Sequence, residues 1–102
     1  MRIIKESRLR EYAKQHSRAA SALRHWRTAT RKASWKSFAD VKRTFGPADQ
    51  ITLPNGIRIV VFDIGGGSFR LITAVHYNRS IVYVRRFLTH AEYSKEDWKN
   101  DP

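Results

Sequence analysis

The sequence predicts an α+β domain in which a short N-terminal strand and helices pack on one face of an antiparallel β-meander. Three observations carry this. Apolar residues recur three or four positions apart as far as Phe45, the period drops to two from Ile57 onward, and the strand-like runs are separated by connections short enough for hairpins. At 102 residues the chain is expected to form one domain spanning 1–102. A chain of this size buries roughly 60–70% of its unfolded surface, enough for one modest core.

Met1–Lys5 is β-compatible, with Ile3 and Ile4 between Arg2 and Lys5. Ser7 is placed to cap a first helix carrying Leu9, Tyr12 and Ala13. Ser17 is placed to cap a second, with Ala19, Ala20, Leu23, Trp26, Ala29 and Thr30 on one stripe. The two form either an antiparallel hairpin around Gln15–Ser17 or one bent helix. Ser34–Phe45 reads as a short helix on Trp35, Phe38, Val41 and Phe45, ended by Gly46-Pro47. Residues 48–53 are loop or a weak edge strand, and Pro54-Asn55-Gly56 is a turn. Ile57–Ile64, Phe69–Tyr77 and Ile81–Leu88 are the strands of the meander, joined through Gly65-Gly66-Gly67-Ser68 and Asn78-Arg79-Ser80.

Composition narrows the function classes. With no cysteine, disulfides and thiolate metal sites are excluded. No apolar run approaches the ~20 residues of a membrane span, and the N-terminus is not a signal peptide, so a cytoplasmic protein without membrane association is expected. The formal net charge is +11, and it is lopsided: residues 1–45 hold thirteen basic and three acidic side chains, residues 46–102 seven and six. Such a field attracts polyanions and makes their binding fall steeply with salt.

Strand alternation singles out candidate chemistry at one end of the meander. Arg70, Ile72, Ala74 and His76 share one face of their strand; Val82, Val84, Arg86 and Leu88 share one face of the next. A guanidinium among apolar neighbours either reaches solvent or takes an anionic partner. Arg70 and Arg86 are expected as near cross-strand neighbours, which suits a clamp on phosphate; the alternative is solvent exposure, or an ion pair with Asp63 or Glu92. Thr89-His90-Ala91-Glu92-Tyr93 follows at the same end. Histidine suits proton transfer near neutral pH, and Tyr93 suits orienting a ribose, stacking on a base or relaying a proton. The catalytic candidates are therefore Arg70, Arg86, His90 and Tyr93. Arg27 and Arg31, on the basic face of the second helix, are candidates for contacting an RNA backbone, as are Arg85 and Lys36. His16, His25 and His76 read as structural or surface residues. No metal site or cofactor is expected, and the triglycine run lacks the context of a phosphate-binding loop.

The segments Phe62-Asp-Ile-Gly-Gly-Gly-Ser-Phe-Arg70-Leu-Ile, Val82-Tyr-Val-Arg85 and Thr89-His90-Ala-Glu-Tyr93 resemble the HigB-type toxins of bacterial type II toxin–antitoxin systems, in the RelE-like superfamily. The resemblance covers nearly the whole chain. It implies a RelE-like fold and a metal-independent mRNA endoribonuclease, often acting on the translating ribosome, that halts translation and growth. It also implies a cognate HigA-type antitoxin with a helix-turn-helix domain, and contact with operator DNA only through that antitoxin. It places Arg70 where a phosphate-binding arginine is expected, Arg86 near a second, and His90 and Tyr93 where C-terminal catalytic residues fall. Lys36 and Lys99 are offered as counterparts of lysines that some relatives use, with no motif match for either. The competing expectations are a non-catalytic RNA- or ribosome-binding module, and a structural subunit stabilised by an acidic partner.

Overall fold

The change of period at mid-chain becomes a change of layer. The computed structural model describes residues 1–100. Its elements are β1 (Arg2–Ile4), α1 (Ser7–Gln15), α2 (Ala20–Lys32), α3 (Phe38–Thr44), β2 (Asp49–Thr52), β3 (Arg58–Ile64), β4 (Phe69–His76), β5 (Ile81–Thr89) and α4 (His90–Ser94). Short 3-10 turns occupy Ser17–Ala19, Tyr77–Arg79 and Asp97–Asn100. The strands form one sheet in the order β1-β5-β4-β3-β2, antiparallel except where β1 runs parallel to β5. The α+β class predicted from the sequence is the observed one.

One sheet face is covered by the helices. Leu9, Ala19, Leu23, Trp26, Trp35 and Val41 pack on Val60, Phe62, Ile64, Leu71, Val82 and Val84. The stripe on α2 works as its spacing predicts: Leu23, Trp26 and Thr30 are buried while Arg24 and Arg31 face solvent. Glu6 ion-pairs with Arg27 at 3.1 Å and Arg31 at 2.8 Å, so the start of α1 lies beside the end of α2 and the pair is an antiparallel hairpin.

Several boundaries differ from those predicted. Ser7 is the first residue of α1 rather than its cap, and neither it nor Ser17 caps through its side chain. The third helix is confined to Phe38–Thr44, because Asp40 accepts a hydrogen bond from the Lys36 amide at 2.8 Å and holds the preceding residues as a turn. Residues 49–52 are an edge strand paired with β3.

The other sheet face is covered too, which the sequence reading did not anticipate. Ile59, Val61 and Ile72 form a second cluster with Leu53, closed by Trp98 and flanked by Ile51, Leu88 and Tyr93. The segment from α4 to Asn100 therefore lies across the sheet opposite the helices. A burial-driven contact of this kind fixes α4 at the end of β5, and with it the residues of the candidate site.

Candidate functional site

The β3–β4 hairpin sets the site's first residue. Gly65, Gly66 and Gly67 have φ of 63°, 68° and 94°, a run of left-handed conformations that side chains disfavour. This tight loop brings Asp63 directly opposite Arg70. Arg70 Nε meets Asp63 Oδ1 at 3.1 Å, and Arg70 Nη1 donates to the Gly67 and Phe69 carbonyls. Of the alternatives for Arg70, the ion pair with Asp63 is the one formed. Nη2 remains without a hydrogen bond among the described residues, so one corner of the guanidinium stays available.

The position of Arg86 depends on an irregularity that period-two counting misses. Thr73 pairs with Val84, but Ile72 pairs with Arg86, so Arg85 is an extra residue in β5 and the strand changes phase there. Val82 and Val84 join the helix-side core, while Arg86 and Leu88 stand opposite Ile72 and Arg70. The expectation that Val82, Val84, Arg86 and Leu88 share a face fails for this reason. Arg86 is a diagonal neighbour of Arg70, two pairs along the ladder. Arg8 stabilises the bulge by donating from Nη1 to the carbonyls of Val84 and Arg85, each at 3.1 Å.

Thr89 begins α4 through a reciprocal cap. Its hydroxyl accepts from the Glu92 amide at 3.2 Å, and Glu92 Oε1 accepts from the Thr89 amide at 2.9 Å. The pattern Thr-His-Ala-Glu carries this cap in the sequence. The bond from the Thr89 amide, followed by the Thr89 hydroxyl and nearby His16 and Lys95, holds the Glu92 carboxyl below its ordinary value against a small burial penalty. His90 donates its backbone amide to Ser68 at 3.0 Å and leaves its imidazole in solvent. Tyr93 turns back over the sheet, with the Arg70 guanidinium 5.4 Å from its ring centre and Trp98 stacked at 5.1 Å. Burial raises the Tyr93 phenol above its ordinary 10.0, with Asp49 and Asp63 adding to burial and Arg70 and Lys99 opposing it. At neutral pH Tyr93 is therefore a proton or hydrogen-bond donor.

The structure adds a histidine that the sequence reading took as a structural or surface residue. His16, between α1 and the following turn, sits with its ring 5.1 Å from Phe69 and 5.8 Å from Phe87. Those two phenylalanines stack at 5.1 Å, and Tyr12 stacks on Phe87 at 5.2 Å. Phe69 pairs with Thr89, so His16 lies at the α4 end of the sheet, near the start of the Thr89–Tyr93 segment. Only the β4–β5 register reveals this, since His16 and Glu92 are far apart in the chain.

The other candidates are dispersed. Lys99 reaches Glu96 at 3.0 Å and lies 5.9 Å over Trp98, beside Tyr93. Arg85 lines a separate cleft with Lys5, Arg8 and Tyr83. Arg27 and Arg31 are engaged by Glu6 at the far side of the helical layer, and Lys36 is exposed ahead of α3. His25 and His76 are exposed, with His25 edge-on to Phe45. Among the described residues there is no group of His, Asp and Glu able to hold a metal ion, and no helix is long and apolar enough to cross a membrane.

The molecule is a small basic α+β domain, with arginine, tyrosine and histidine gathered where two central strands end. The family is specific: the chain belongs to the HigB_toxin family, the RelE-like toxic component of a toxin–antitoxin system, whose model matches residues 19–96. A search of curated proteins found no significant match. Membership implies an antitoxin as partner.

Proposed function

We propose that this toxin is a metal-independent endoribonuclease that cleaves mRNA, in the cytoplasm and on the translating ribosome. The observation that carries the reading is the convergence of Arg70, Tyr93 and the His90-bearing helix start at one end of a strongly basic molecule, within a toxin family. Cleavage of an RNA strand by its own 2′-hydroxyl needs a base for that hydroxyl, an acid for the departing 5′-oxygen and cations for the charge on phosphorus. Arg70 and Arg86 supply the cations. His90, exposed and without side-chain partners among the described residues, acts as base or acid. His16 is the second imidazole of the pair, and Tyr93 donates to the ribose or phosphate. Lys99 and Arg85 extend the contact with RNA; Arg27, Arg31 and Lys36 act through long-range attraction. The antitoxin is of the HigA type, with a helix-turn-helix domain that binds the operator for both proteins.

The test is induction in bacteria beside an Arg70→Ala/His90→Ala variant, with transcriptome-wide mapping of 5′ ends. New ends within coding regions, present with the wild type and absent with the variant, are expected. Growth arrest without new ends would instead make the protein a non-catalytic binder that blocks translation.

A further inference from the structure

We propose that the groove between α1 and α2 is the docking site for an acidic, partly apolar segment of the antitoxin. The proposal rests on the toxin-family assignment, which supplies the partner, and is independent of what the toxin does to RNA. The groove encloses about 500 Å³. Leu9 and Leu23, both buried, form its floor, and Arg10 and Arg24, both exposed, line it above them.

The register of the helical hairpin places these residues opposite one another. Glu6 of the α1 start meets Arg27 of α2 at 3.1 Å, which fixes the alignment of the two antiparallel helices. Four residues on along α1 and three back along α2 stand Arg10 and Arg24. A further three and four reach Ala13 and Ala20. Steps of three and four keep to one helix face, so all three tiers line the groove. The first tier is a compensated ion pair. The second sets two guanidinium groups across from each other, with no hydrogen bond or ion pair for either among the described residues. Glu6, one turn before Arg10, is already held by Arg27 and Arg31. Facing like charges repel unless an anion stands between them. The third tier sets alanine across from alanine, both half-buried, and larger side chains there would close the groove.

The lining favours a protein over nucleic acid. It offers no aromatic ring on which a base could stack, whereas the Leu9–Leu23 floor suits an aliphatic side chain. A segment that lays such a side chain between Ala13 and Ala20 brings a neighbouring carboxylate between Arg10 and Arg24. An amphipathic helix presents both groups from one face. Charge complementarity extends beyond the groove, because residues 1–45 carry thirteen basic and three acidic side chains. None of the candidate catalytic residues Arg70, Arg86, His90 and Tyr93 lines the groove, so docking there is separable from the chemistry.

The experiment measures binding of the cognate antitoxin to the toxin by isothermal titration calorimetry. Arg10→Glu/Arg24→Glu is compared with Arg18→Glu/Lys32→Glu, which makes the same change of charge on exposed residues outside the groove. Ala20→Trp fills the groove without changing the charge, and melting curves report whether each variant is folded. Arg10→Glu/Arg24→Glu and Ala20→Trp are expected to weaken binding about 100-fold or more, and Arg18→Glu/Lys32→Glu less than about tenfold. Equal weakening by the two charge variants reduces the effect to long-range attraction and overturns the docking site. Wild-type affinity in folded Arg10→Glu/Arg24→Glu overturns it as well, while leaving the antitoxin assignment intact. Wild-type toxin that fails to bind the antitoxin overturns the docking site and that assignment together. Antitoxin binding kept by Arg10→Glu/Arg24→Glu, with loss of binding to a 2′-O-methyl RNA oligonucleotide, gives the groove to nucleic acid and also overturns the proposal.

Discussion

Replacing Trp98 with alanine separates a structural cover from a loosely attached tail. Trp98 is 4% exposed and closes the cluster of Leu53, Ile59, Val61 and Ile72 on the sheet face away from the helices. Its ring stacks on Tyr93 at 5.1 Å, and its Nε1 donates to the Tyr93 carbonyl at 3.0 Å. Truncating a buried tryptophan to alanine costs about 3–5 kcal/mol, from lost transfer energy and the cavity left behind. Domains of this length have only about 5–15 kcal/mol in total. Each kcal/mol moves the midpoint of a small domain by about 4–8 °C, so Trp98→Ala is expected to melt at least about 12 °C below wild type. Urea titration gives the free energy directly, and Trp98→Phe should recover much of it. A loss below about 1 kcal/mol would refute the reasoning and show that the segment after α4 contributes little to the core. Because Tyr93 loses its stacking partner, RNA cleavage by the folded fraction is also expected to fall.

Two other changes test the α4 end. His16→Ala is expected to slow RNA cleavage by about 100-fold or more, the usual contribution of a positioned acid or base, while far-ultraviolet circular dichroism stays that of wild type; unimpaired cleavage would return His16 to a purely structural role beside Phe69 and Phe87. Glu92→Gln keeps the cap geometry but removes the charge, and is expected to cost about 0.5 kcal/mol at neutral pH, a small figure because the group is well solvated. The folded carboxyl lies below its ordinary 4.5, so its stabilisation is complete above that pH and disappears as pH falls through the folded value. Melting curves of the two proteins should therefore differ at neutral pH and converge in acid; a constant gap would assign the effect to packing.

The layers of the fold were legible because periodicity reports which side of an element is buried. The Leu23, Trp26 and Thr30 stripe and the three long strands followed directly. The bulge at Arg85 was not legible, since inserting one residue into a ladder leaves no mark on the composition, yet it decides the face of every later residue in β5. The partner of Arg70 was among the alternatives offered by the sequence, and only the register of the triglycine hairpin selected Asp63. His16 was missed because its neighbours come from β4, β5 and α4. Trp98 lies beyond the last predicted strand, where no periodic pattern pointed back to the sheet.

The parallel pairing of β1 with β5 gives the chain a particular order of assembly as it is made. Arg2–Ile4 can join the sheet only after Ile81–Tyr83 exists. At roughly 5–20 residues per second, the first strand waits on the order of 4–16 s for its neighbour. For most of that interval the apolar stripe of α2 lacks the strands that cover it, and until its end neither the β5 arginines nor His90 has been synthesised. Closure of the edge and completion of the basic site are therefore late, nearly simultaneous events. A nascent or interrupted chain is open to proteolysis before it carries the residues proposed to make it harmful.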